Sequence, residues 1–173
     1  MNNYREKYPN RKLAVVFDID DTALLINKHD ISKARVLSFF RKLYQVAIAL
    51  NYSVFFVTAR PDFPKNKEFT LEQLKRHGFT EYDQLFMMPE GYLTRKNFSQ
   101  YKYNRRKLIA KNHTIVLNIG DQWTDLGLMQ PYSKQRSFID IYDADYSQDK
   151  YYFFLDTHKI DPSLYSIKLP SRK

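Results

Sequence analysis

The stretch LAVVFDIDDTALL (residues 13–25) begins as an oily run and then sets three carboxylates within four positions, Asp18, Asp20 and Asp21. LAVVF (13–17) is apolar throughout, which suits a strand buried on both faces inside a parallel sheet. Carboxylates packed that closely repel one another, so something must offset them. The candidates are a bound cation, solvation at a turn, or a reaction that needs two acids.

Beyond this stretch, short apolar runs alternate with segments of helical period. Residues 31–51 carry Val36, Phe39, Phe40, Leu43, Val46, Ala47 and Leu50 at helical spacing, predicting one long helix. YSVFFVTA (52–59) reads as the second strand, ended by Arg60-Pro61. A helix follows, with Thr70 as its cap and Gly78 as its stop. DQLFMMP (83–89) is a third strand, 90–99 a loop, and Ser99 the cap of a helix running to His113. TIVLNIGD (114–121) is the fourth strand, apolar until it meets an aspartate. SFIDIYD (137–143) and KYYFFLD (150–156) are further strand candidates, and the pattern leaves open which of them joins the sheet.

Alternating strands and helices predict parallel βαβ units: an α/β, Rossmann-like three-layer sandwich around a mostly parallel sheet. The expected division is an N-terminal arm, 1–12, and a single domain, 13–173. Ligands of such sheets sit beyond the carboxyl ends of the strands. Asp18, Thr58 and Gly120-Asp121 each close a strand, so three polar signals fall on one edge.

Composition bounds the function. There is no cysteine, which excludes disulfides, thiolate metal sites and a cysteine nucleophile. No run approaches the roughly 18–20 apolar residues of a membrane span. The polar start MNNYREKYPNRK does not read as a signal peptide, so a soluble, cytoplasmic protein is expected. The 28 Lys and Arg against 19 Asp and Glu give a charge of +9. That balance favours anionic partners, phosphorylated small molecules or nucleic acid, and equally serves general solubility. His29, His77, His113 and His158 form no ligand spacing and receive no role.

Side chains alternate along an extended chain, so Asp18 and Asp20 can face the same way. Asp18, beside a cation, could stay ionised and act as nucleophile. Asp20, one step out, could carry a proton to a leaving group and later take one from water. Thr22 can hydrogen-bond back to them. Asp121 and Asp18 are hard oxygen ligands suited to Mg²⁺. Asp125 could be a further ligand, a partner of one, or an ordinary acid at the start of a helix near Thr124. Thr58 offers a hydroxyl, and Lys102, at a helix start, an ammonium for an anion. Arg60 either reaches a phosphate or merely ends its strand before Pro61. Lys96, Arg106 and Lys107 read as a solvated basic face.

These residues resemble the haloacid dehalogenase (HAD) superfamily of phosphohydrolases. DIDDT (18–22) matches its DxDxT motif, VFFVTAR (54–60) its strand ending in Thr or Ser, Lys102 its lysine, and GDQWTD (120–125) its GDxxxD motif. DIDDT, TAR, YKYNRR and GDQWTDL are most similar to the subgroup of class B acid phosphatases and plant vegetative storage proteins. Many superfamily members carry Gly where this chain has Asp21. No inserted cap domain is visible between the first two motifs. The resemblance implies an aspartyl-phosphate on Asp18, with Asp20 as acid and base. It implies Mg²⁺ held by Asp18, the Asp20 backbone carbonyl and Asp121, and a phosphoryl group bound by Thr58 and Lys102. A Mg²⁺-dependent phosphatase acting on phosphorylated small molecules or nucleotides is the leading expectation. The alternatives are a nucleic-acid-binding protein, for which YLTRKNFSQYKYNRRK (92–107) interleaves aromatics with cations, and a storage or scaffold protein without chemistry.

Overall fold

The computed structural model describes residues 9–27, 29–92 and 94–122, together with Glu6, Asp125 and the strand segments 141–142, 153–155 and 166–168. Strand β1 (Lys12–Phe17) lies in the middle of a seven-stranded sheet. Its neighbours are β4 (Ser53–Pro61) on one side and β6 (His113–Gly120) on the other, both parallel to it. Outside β4 lies β5 (Gln84–Met88), also parallel. Outside β6 come β9 (Ser166–Lys168), parallel, then β8 (Phe153–Leu155) and β7 (Ile141–Tyr142), both antiparallel to their neighbours. The expected arm therefore gives its last residue, Lys12, to the sheet.

Alternation along the strands divides the core in two. Leu13, Val15 and Phe17 share one cluster with Val54 and Phe56. That cluster packs on helix α1 (Ser38–Ala49) through Phe40, Tyr44 and Ala47, and on α2 (Pro64–Arg76) through Leu74. Ala14 and Val16 point the other way, with Phe55, Val57, Phe86 and Met88, against Tyr101 and Ile109 of α3 (Arg95–Asn112). A sheet so covered has helices on both faces, and that is why LAVVF shows no polar alternation. The fold is α/β with a mostly parallel sheet, as the sequence predicts.

Several local expectations need correction. Residues 31–51 are not one helix. Asp30 accepts from the Ser32 amide at 3.0 Å and caps a short 3₁₀ turn, Ile31–Lys33. Arg35–Val36 (β3) then pairs antiparallel with Leu24–Leu25 (β2). This hairpin is a flap after β1, and among the described residues it is all that stands where a cap domain would be inserted. Thr70 is no cap, because α2 starts at Pro64, whose fixed φ suits a first helical turn. Gly78 does end that helix, at φ +85. Helix α3 starts at Arg95, four residues before Ser99. Both C-terminal candidates enter the sheet, and β9, which the sequence does not signal, separates them from β6.

Candidate active site

Asp18 is the first residue past β1. Its amide donates to the Ile119 carbonyl at 2.9 Å, which seats its carboxyl beside the end of β6. The chain then folds back at once: the amides of Thr22 and Leu24 both donate to the Ile19 carbonyl, at 3.2 and 2.9 Å. Such a turn puts Asp21 at φ 53, the left-handed region that glycine enters freely and aspartate tolerates. Asp21 Oδ1 accepts the Ile26 amide at 3.2 Å and fixes the turn. The hydroxyl of buried Thr22 lies 3.3 Å from Asp18 Oδ2, to which it donates.

The end of β6 supplies the second piece. A Cβ on Gly120 would fall within 3.0 Å of Asp125 Cβ and Cγ, so only glycine lets Asp125 lie back on the strand end. Asp125 Oδ2 accepts the Gln122 amide at 2.9 Å and Oδ1 accepts Lys102 Nζ at 2.6 Å. Lys102 comes from α3 on the far face of the sheet and donates a second bond to Asp18 Oδ1 at 2.8 Å. One helical turn on, buried Arg106 donates from Nε to Asn118 Oδ1 at 3.0 Å and from Nη1 to the Lys102 carbonyl at 3.2 Å. Its Nη2 lies 3.9 Å from Asp125.

Charge is crowded in this pocket. Carboxylate oxygens of Asp18, Asp121 and Asp125 lie within 4.8 Å of one another, and all three residues are buried. Burial first, and the Asp125 carboxylate second, push the Asp18 carboxyl up to about 8 against the opposing pull of Lys102. Burial works against the Lys102 charge as well, but Asp125 and Asp18 outweigh it and hold the ammonium above its ordinary value. The three carboxyl groups are held in a dry site, where Asp18 and Asp125 share the Lys102 ammonium and Arg106 Nη2 lies 3.9 Å from Asp125. Hard oxygens in that number fit a divalent cation, which would return Asp18 to its ionised form.

The third piece comes from β4. Thr58 is fully buried, accepts the Arg60 amide at 3.1 Å and lies 3.4 Å from Asp20 Oδ2. Asp20 does not share the Lys102 network. Its carboxylate is gripped by Arg60, with Nε at 3.0 and 3.1 Å from the two oxygens and Nη2 at 2.7 Å from Oδ1.

The structure thus brings Asp18, Asp20, Thr22, Thr58, Lys102, Asp121 and Asp125 to one edge of the sheet. The start of the helix expected near Thr124 lies outside the described residues. Sequence reasoning missed Arg106, Asn118 and the Arg60 grip. Arg106 was legible in principle, since it stands four residues after Lys102 and must share its helix face. Part of the cation–aromatic run of α3 is spent internally. Tyr101 is buried and donates to the Met87 carbonyl, Arg105 lies over the Tyr101 and Phe86 rings, and Lys102 and Arg106 are buried.

Residues 27–149 match the family described as HAD superfamily, subfamily IIIB (acid phosphatase). The chain is 34% identical over 86 residues to acid phosphatase 1 of Solanum lycopersicum, 49% of this chain and 32% of that protein. It is also 34% identical over 87 residues to vegetative storage protein 1 of Arabidopsis thaliana, 49% of this chain and 30% of that one. It therefore spans about a third of the length of these curated relatives. Among solved structures, the class C acid phosphatase from Bacillus anthracis superposes with a TM-score of 0.60 at 18% identity, over 76% of this chain and 59% of that one. That likeness concerns the fold alone.

Proposed function

The chain belongs to the HAD superfamily, subfamily IIIB, the acid phosphatases, and on that footing we propose that it is a Mg²⁺-dependent phosphomonoesterase working through an aspartyl-phosphate on Asp18. The observation that carries the reading is the meeting of Asp18, Lys102, Asp121 and Asp125 in one buried cluster, with Asp20 and Thr58 beside it. A storage protein has no use for three carboxyl groups buried within 4.8 Å of one another, which costs stability.

The metal would be held by Asp18, the Asp20 backbone carbonyl and Asp121, with Asp125 in support. When bound, it supplies positive charge to the carboxylates and to the transferring phosphoryl group. Lys102 has three N–H donors. Two go to Asp18 and Asp125, and the third is free to meet a phosphoryl oxygen. Thr58 and the amides after it orient the same group.

In the first step an Asp18 oxygen bonds to phosphorus, the bond from phosphorus to the ester oxygen breaks, and Asp20 gives its proton to that oxygen. In the second, Asp20 takes a proton from water as the water oxygen attacks phosphorus. The bond to Asp18 then breaks and phosphate leaves. Most of the catalysis is positioning and charge neutralisation, as phosphoryl transfer demands.

Substrates are proposed as phosphorylated small molecules, nucleotides among them, and the site as a cytoplasmic one. The test is phosphate release from p-nitrophenyl phosphate, nucleoside monophosphates and end-phosphorylated oligonucleotides, with Mg²⁺ and with EDTA. Release from at least one substrate, abolished by EDTA, is expected. No release from any of them with Mg²⁺ present contradicts the reading.

A further inference from the structure

We propose that Arg60 is a positioning residue: it fixes the plane of the Asp20 carboxylate and, through Gln73, ties that carboxylate to the flap. The proposal rests on the acid–base role given to Asp20 above.

Arg60 is only 6% exposed, and each of its three guanidinium nitrogens is engaged. Nε and Nη2 take Asp20 in a two-pronged grip, while Nη1 donates to Thr70 Oγ1 at 3.1 Å and Gln73 Oε1 at 2.9 Å. Gln73 is buried too, and its Nε2 donates to the Ile31 carbonyl at 2.6 Å. Ile31 stands in the turn between β2 and β3. An unbroken series of hydrogen bonds therefore runs from the flap through α2 to the reacting carboxylate.

The asymmetry of the pair says what it is for. The Asp20 side chain is 39% exposed while that of Arg60 is 6% exposed. An ion pair open to water on one side adds little stability. A planar fork held rigid by α2 nevertheless removes the rotational freedom of a short carboxylate on a loop. Asp20 must aim one oxygen at a leaving group, and misplacement of a proton donor is expensive in rate. Arg60 is spent on that aim and is not a spare cation for phosphate. Movement of the flap at Ile31 is felt at Asp20 through the same bonds.

Two substrates separate this role from a structural one. Nitrophenolate departs readily without a proton, whereas the alkoxide of glycerol phosphate needs one. Arg60→Met should lower kcat on glycerol phosphate at least about tenfold more than on p-nitrophenyl phosphate, with KM little changed. Asp20→Asn should show the same selective loss, and the double variant should be no worse than Asp20→Asn alone. Gln73→Met should reproduce part of the effect. Arg60→Lys keeps a cation without the fork and gives the same readout if the Met variant does not fold. Equal losses on both substrates accompanied by a lower unfolding midpoint, or additive losses in the double variant, overturn the proposal. A wild-type protein inert on both substrates overturns the phosphatase reading itself, and this proposal with it.

Discussion

The two halves of the site differ in how they handle charge. At the junction of β1, β6 and α3, the side chains of Asp18, Lys102 and Asp125 are 3%, 8% and 0% exposed, and their partners are other buried charges, a backbone amide and the buried Thr22 hydroxyl. At the junction of β4, α2 and the flap, Asp20 is half open to water and its one strong partner is a guanidinium anchored elsewhere. Removing the shared ammonium from the first half leaves bare carboxylates in a dry place, so stability and chemistry fail together. In the second half water reaches Asp20 and replaces what that carboxylate loses, so chemistry can fail while the fold stands. The comparison separates residues that hold the molecule from residues that only aim.

The sharpest way to break that comparison is Lys102→Met. Two buried carboxylates would lose their shared ammonium, at a cost of about 3–5 kcal/mol, and turnover should vanish. Urea unfolding and phosphate release read the two effects. If stability is unchanged, the buried half is not the closed ion network described.

Gly120→Ala comes next. The methyl group would collide with Asp125 Cβ, and that carboxylate would have to leave the strand end. A loss of about 1–3 kcal/mol is expected, together with weaker stabilisation by Mg²⁺ in thermal melts. An unchanged Mg²⁺ response would separate Asp125 from the metal site.

The smallest effect lies on the open side, at His77, the residue after α2. Partial burial, then the neighbouring Arg76, holds its pKa below the ordinary 6.5, and the Ala34 backbone opposes them weakly. The unfolded chain therefore binds the proton more readily than the folded one. The resulting penalty is fully present below the folded pKa and disappears as pH rises past 6.5. The His77 contribution to stability should climb slightly across that interval, and His77→Gln should remove it from the pH slope. An equal slope in both proteins, from urea midpoints at about pH 5 and about pH 7.5, would remove His77 from the account.

Much of this was legible in the sequence because it is written in contiguous patterns. Strands buried on both faces are unbroken apolar runs, and the polar residues at their carboxyl ends, Asp18 and Asp121 just past β1 and β6 and Thr58 three residues before the end of β4, meet on one edge of a parallel sheet. What the sequence hid depends on contacts made in space. The periodicity of residues 31–51 is helical throughout, yet Arg35–Val36 are taken by β2, a tertiary pairing that overrides it. Thr70 looked like a cap because caps are local; its hydroxyl in fact serves Arg60, ten residues away. Strand β9 offers too short a run to stand out, and only its place beside β6 gives it meaning. Arg106 reads as part of a solvated basic face and Arg60 as a phosphate contact or a strand end, because charge alone does not reveal burial.

Replacing the proposed nucleophile is the most direct test of all. Asp18→Asn, assayed for phosphate release from p-nitrophenyl phosphate in Mg²⁺, should turn over at least about a thousandfold more slowly than the wild type. Its unfolding midpoint without metal should be no lower, since the cost of burying the Asp18 carboxyl has gone. A folded Asp18→Asn protein that releases phosphate at nearly the wild-type rate would contradict the account.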